Sequence, residues 1–291
     1  MKKNYLSELA KPVFVLSIIL SLVFSGCQQP PKADETVKID INTVGEPISP
    51  YIYGQFIEHL GKCIYGGIWA EMLEDRKFYY PVTFEFNPWG TANDPQWNTG
   101  EYKFLNASPW QVIGEEKAVS MDKKSPYVGE QTPVVKLKGD GSAAGIKQAG
   151  IEFIAGKEYT GRIVLAGDAS AAPVTVQITS ENNETVKVEI PEISSDFKTY
   201  PLSFTVPFAG KNCSVEIVSA GKGSFKIGTV SLMPADNING WRPDVVALLK
   251  ELNSPIYRWP GGNFVSGYNW RDGIGEMDKR PPRKNPAWKG V

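Results

Sequence analysis

Arg258 and Asn263 stand five positions apart, on either side of Pro260, Gly261 and Gly262. A guanidinium fork and a neutral amide beside a tight turn suit the gripping of carboxylates and sugar-type hydroxyls. Pro260 removes a backbone donor and ends whatever strand precedes it. The two glycines allow a sharp turn or a close approach of backbone to a ligand. Glu58 is a further candidate; taken alone it reads equally as a salt-bridged structural carboxylate. His59 is the chain's one histidine. It rules out a multi-histidine metal site. It leaves one candidate for a serine–histidine triad, with no G-x-S-x-G elbow to serve it. His59 is therefore expected to be a packed, hydrogen-bonded orienter.

The elements that would position these residues are legible as pattern. Residues 255–259 are rich in β-branched and aromatic types and read as a short buried strand. Trp241, Val245, Leu248 and Leu252 form one apolar stripe of a preceding helix. Pro243 fits its first turn, and Asp244 suits its positive end. Residues 51–58 read as an earlier strand ending at Glu58. Residues 68–76 read as a short helix with Ile68 and Met72 on one face. A helix, a buried strand and a functional-looking loop fit an α/β barrel, whose sites lie at the C-terminal ends of its strands. They also fit any α/β domain with a Gly-Gly turn.

Two long runs narrow this. YRWPGGNFVSGYNWRDG (residues 257–273) resembles the second-strand signature of the family 51 α-L-arabinofuranosidases, and YGQFIEHLGKCIYGG (residues 53–67) is similar to their first-strand signature. The resemblance implies an incomplete (β/α)8 TIM barrel in which Glu58 and Asn263 bind the furanose and Arg258 orients the nucleophile. It implies retaining hydrolysis of terminal α-L-arabinofuranosyl groups from arabinan or arabinoxylan, with no cofactor and no metal. The acid/base and nucleophile carboxylates belong to the family's fourth and seventh strands, so they are expected beyond Val291, and the chain itself is expected to be inactive. Asn183-Glu184 copies the family's acid/base pair but falls in a polar hairpin turn and is rejected. The alternatives are a non-enzymatic surface glycan-binding lipoprotein and a related barrel glycosidase acting on glucan or xylan.

Domain organisation follows from composition and spacing. Residues 1–26 carry Lys2 and Lys3, an apolar run and small residues, the pattern of a signal peptide. Cys27 resembles a lipidation site and residues 27–35 a tether, implying a cell-envelope lipoprotein or secreted protein. Residues 36–93 are assigned to the first barrel segment, with 37–41 as a half-buried strand. Residues 94–235 form an insert, and 236–291 the second barrel segment. Within the insert, strand-like runs at 133–138, 145–153, 158–166, 174–179, 186–190, 200–206, 214–218 and 225–232 suggest a jelly-roll-like β-sandwich. Trp97, Tyr102, Trp110 and Tyr127 could stack on sugars or pack a core. Residues 139–145 form a turn rather than a nucleotide loop. Of three cysteines, Cys63 and Cys213 fall in different expected domains and are not expected to pair. A net charge of −1 gives no electrostatic case for nucleic acid. The expected partners are arabinose-containing polysaccharides and, through Cys27, a membrane.

Overall fold

Alternation of apolar and polar residues dictates most of the architecture. In strand β12 (Gly210–Ser219), Cys213, Val215, Ile217 and Ser219 are buried while the residues between them are not. β12 lies in an antiparallel sheet with β4 (Gln111–Ile113), β7 (Ala144–Phe153), β9 (Val174–Thr179) and β10 (Thr185–Ile190), in the order β10-β9-β12-β7-β4. A second antiparallel sheet, in the order β11-β8-β13-β6-β5, holds β5 (Val119–Asp122), β6 (Thr132–Lys138), β8 (Glu158–Gly167), β11 (Lys198–Thr205) and β13 (Lys222–Pro234). One apolar core joins the two, with Ile146, Ile178 and Ile217 from the first and Ile163, Leu165, Phe225 and Ile227 from the second. The eight strand-like runs of the sequence coincide with β6 to β13. Asn183 and Glu184 lie in the β9–β10 turn, where Asn183 takes φ 63°. A two-stranded ladder pairs β2 (Trp89–Thr91) with β3 (Lys103–Leu105).

The structure, a computed structural model, describes residues 37–91 and 103–288. The residues expected to form a leader and tether, Cys27 among them, and Trp97 and Tyr102 lie outside the described residues. The chain divides into two units, 1–48 and 49–291. In the first, residues 37–41 are not a strand. Val37, Ile39 and Ile41 are all over 80% exposed, and no partner ladder forms among the described residues. Instead the Asp40 carboxylate accepts from the Asn42 amide and the Thr43 hydroxyl, closing a local turn.

In the second unit, β1 (Gln55–Phe56) and β14 (Tyr257–Arg258) pair in parallel, Gln55 opposite Tyr257 and Phe56 opposite Arg258. β14 is exposed rather than buried, because parallel strands are covered only when helices and further strands flank them. The helix Pro243–Leu252 begins at Pro243 and ends where Asn253 turns left-handed and donates to the Lys250 carbonyl. The expected stripe is displaced. Leu248 and Leu252 are 64% and 56% exposed, and the face lining a groove with Trp241 and Tyr257 carries Val246 and Leu249.

Residues 68–76 are extended and turning, not helical. Their amides bond outward, Ala70 to the Gly240 carbonyl and Met72 to that of Leu232. The reason is the buried Glu71. Its carboxylate accepts from the Ser231 hydroxyl at 2.6 Å, the Leu232 amide at 2.9 Å and the Leu73 amide at 3.2 Å. Meeting those acceptors' needs outweighs an i, i+4 apolar pair. Beyond it, Leu73, Phe78 and Val82 enter the core shared by the two large sheets.

Candidate active site

The C-terminal end of the β1–β14 ladder gathers the candidate residues. The ladder runs on past the strands, with the Ile57 amide bonded to the Arg258 carbonyl and the His59 amide to that of Pro260, both at 2.9 Å. Glu58 is thereby delivered beside the Pro260–Gly261–Gly262 turn. Gly262 has φ +50°, and a Cβ there would lie 2.0 Å from the Glu58 carboxyl carbon. Only glycine lets the turn and the carboxylate occupy the same place.

Glu58 Oε1 accepts from Trp288 Nε1 at 2.8 Å and from the Phe264 amide at 3.0 Å. The Trp288 bond, with the Phe264 and Asn263 amides, holds the carboxyl below the usual glutamate range against its partial desolvation. The carboxylate is thus oriented and ionised. Asn263 starts the short helical turn Phe264–Gly267 and is exposed. Arg258 is exposed also, its guanidinium 5.3 Å from the centre of the Phe56 ring on the neighbouring strand.

His59 stacks on Phe264 at 4.6 Å between ring centres and shares a 3.1 Å hydrogen bond with the Tyr65 hydroxyl. It is packed and hydrogen-bonded as its sequence context suggested. Burial keeps the imidazole below its ordinary pKa, hence neutral, and pushes the Tyr65 phenol up to about 12. A shallow cleft of about 280 Å³ opens here between His59, Trp259, Pro260, Phe264 and Tyr268. Glu58, Asn263 and Arg258 adjoin it without forming its walls. An aromatic cleft beside a fixed carboxylate and a free amide can stack on a sugar ring while bonding its hydroxyls.

The structure brings Glu58 and the Gly262–Asn263 turn together and leaves Arg258 on the strand behind them. Sequence reasoning missed Trp288 and Tyr65 as the partners of Glu58 and His59. Trp288 lies 230 residues beyond its partner, and no local pattern announces such a contact. Trp110, a candidate for sugar stacking, is wholly buried against Phe78, and Tyr127 packs on Phe197. Cys63 is exposed and Cys213 buried, both as free thiols. Among the described residues no group of three histidine, cysteine or acidic side chains is placed to hold a metal.

Comparison with known proteins bears on this geometry. No family model matches the chain. It is 25% identical to alpha-L-arabinofuranosidase 1 of Arabidopsis thaliana, over 97% of this chain and 44% of that protein. A stretch covering 18% of the chain is 57% identical to an intracellular exo-alpha-(1->5)-L-arabinofuranosidase of Acetivibrio thermocellus, where it covers 10%. Among solved structures, an arabinose-bound family 51 α-L-arabinofuranosidase matches at TM-score 0.60 and 18% identity, over 81% of this chain and 39% of that one. The chain spans less than half the length of these relatives. The chain is thus similar in sequence, over 97% of its length, to an α-L-arabinofuranosidase, and in fold, over 81% of its length, to a family 51 member.

Proposed function

We propose that this chain supplies the sugar-holding side of a retaining α-L-arabinofuranosidase site. Glu58 and Asn263 grip furanose hydroxyls, and Arg258 orients a nucleophilic carboxylate and keeps it ionised. The observation that carries this reading is Glu58 itself, ionised and aimed by the Trp288 indole and the Phe264 amide beside the Gly262 turn. In it, β1 and β14 are the first two strands of a (β/α)8 barrel, and the two large sheets are a jelly-roll-like insert between them. Terminal arabinofuranosyl groups are the substrate class, following the names of the relatives, and arabinan or arabinoxylan side chains are proposed as their carriers.

Retaining glycosidases place two carboxyl groups about 5–5.5 Å apart across the scissile bond. The reading assigns neither to this chain. The full chain is therefore expected to bind methyl α-L-arabinofuranoside without cleaving an aryl α-L-arabinofuranoside. Binding by calorimetric titration, lost in Glu58→Gln and in Asn263→Ala with melting curves unchanged, supports the assignment. Equal binding by both variants overturns it, and turnover above a buffer blank overturns the division of labour. Cys27 is proposed to carry a lipid that holds the protein at the cell envelope. Cys27→Ala then moves it from the membrane to the soluble fraction of a lipoprotein-processing host.

A further inference from the structure

We propose that residues 277–288 are a strap through which the sandwich positions the Glu58 carboxylate, with Asp278 as the positioning residue at its anchored end. Asp278 Oδ1 accepts from Arg76 Nη1 at 2.7 Å and Arg162 Nη2 at 2.8 Å, while Oδ2 accepts from Arg162 Nε at 2.5 Å. Arg162 stands on β8, and the buried Arg76 also donates to Thr229 on β13. This is a bidentate, charge-assisted grip, the geometry that fixes orientation best. Lys77 donates to the carbonyls of Met277 and Arg280, and Lys279 sets its ammonium 3.5 Å from the centre of the Tyr127 ring. Pro282 lies against Gly129, where an added Cβ would be 2.9 Å from its Cδ. Every one of these anchors belongs to the sandwich or to the 71–77 segment bonded to it.

The far end of the strap belongs to the site. Asn285 Nδ2 donates to the His59 carbonyl at 3.1 Å. Its Oδ1 accepts from the amides of Ala287 and Trp288, which turns the chain and aims the indole. Trp288 Nε1 then reaches Glu58. Between Arg280 and Trp288 no helix or strand holds the backbone, so its course depends on side-chain anchors: those at its start, the Arg283–Asp272 pair at 2.9 Å and the Asn285 bond to His59. The other donors to Glu58 come from its own adjoining turn, and Trp288 is the one that arrives by this route. A carboxylate with two free torsions before it keeps one orientation only while such donors stay fixed.

The inference rests on the arabinofuranosidase reading only for what Glu58 binds, and its test uses no sugar. In the 15N-labelled full chain, the Trp288 indole N–H is identified by its loss in Trp288→Phe. Its resonance is expected to move with pH as Glu58 ionises, with a midpoint below the ordinary glutamate value. In Asp278→Asn the midpoint should rise toward the ordinary value, and indole hydrogen exchange should quicken by about tenfold or more. The amides of Ile163 and Ile217 should keep their protection, and Asp278→Glu should restore the indole. Where Asp278→Asn does not fold, Lys77→Met removes the carbonyl grips without leaving a buried charge unpaired and is read in the same way. An indole unchanged in a folded strap variant overturns the proposal. So does an indole that loses protection only together with the sandwich amides, the behaviour of a merely structural tie. Failure of arabinofuranosides to bind sinks the functional reading and leaves this measurement standing.

Discussion

Gly262 shapes the site as closely as Glu58 does. Its positive φ and the 2.0 Å gap to the Glu58 carboxyl carbon leave no room for a side chain. Gly262→Ala is expected to push the carboxylate out from under Trp288, abolish arabinofuranoside binding and lower the melting temperature. Titration beside a melt checks this, and full binding by a folded Gly262→Ala protein would show that the carboxylate is free to sit elsewhere. The pH response of Glu58 has a definite sign. Its folded pKa lies below the ordinary value of 4.5, so the fold prefers the ionised form. That preference contributes fully above 4.5 and is lost as pH falls through the lower folded value. Binding that needs the carboxylate should accordingly survive mild acid. A binding curve that collapses at the ordinary glutamate value would mean that the Trp288 bond is absent in solution. Glu58, Asn263 and the glycines were legible because they sit in contiguous runs. Trp288 was not, since its contact with Glu58 exists only after the strap has crossed the molecule.

Elements whose residues face one layer of core were read well, and those that serve two masters were not. β9 alternates buried and half-buried residues from Val174 to Thr179, so its span is fixed by period alone. β4 and β5, of three and four residues, are too short to show a period. The 68–76 segment carries helical spacing but must satisfy a buried carboxylate, and the helix Pro243–Leu252 shows an apolar stripe broader than the face it packs. Trp110 shows the same ambiguity in one side chain. Its type suits sugar stacking, yet it is wholly buried, and its indole donates to the Asp75 carbonyl at 3.3 Å. Trp110→Ala should therefore cost about 3–5 kcal/mol of stability, the usual range for emptying such a site. Glycan binding should be unaffected in whatever remains folded. Chemical denaturation and a polysaccharide pull-down on the same preparation separate the two roles, and intact stability with lost binding would restore the stacking role.

At the scale of the whole molecule, the boundary drawn at residue 94 cuts through a packed core. Leu73, Phe78 and Val82 precede it and are 4%, 1% and 2% exposed within the core that the two large sheets share. Gln148 on β7 ties the same segment by accepting from the Glu74 amide and donating to the Glu74 carbonyl, both at 2.9 Å. Arg76 and Glu71 bind β13 from the outer side. A buried apolar side chain of these sizes contributes about 1.5–3 kcal/mol. Removing three of them approaches the net stability of a typical domain, about 5–15 kcal/mol. A protein comprising residues 94–235 alone should therefore melt broadly or well below one comprising 68–235, which keeps the three side chains and both polar ties. Calorimetry on the two, at equal concentration and pH, decides the matter. Equal, cooperative transitions would show that the sheets close without the 68–82 segment, and that this segment is laid on afterwards rather than built in.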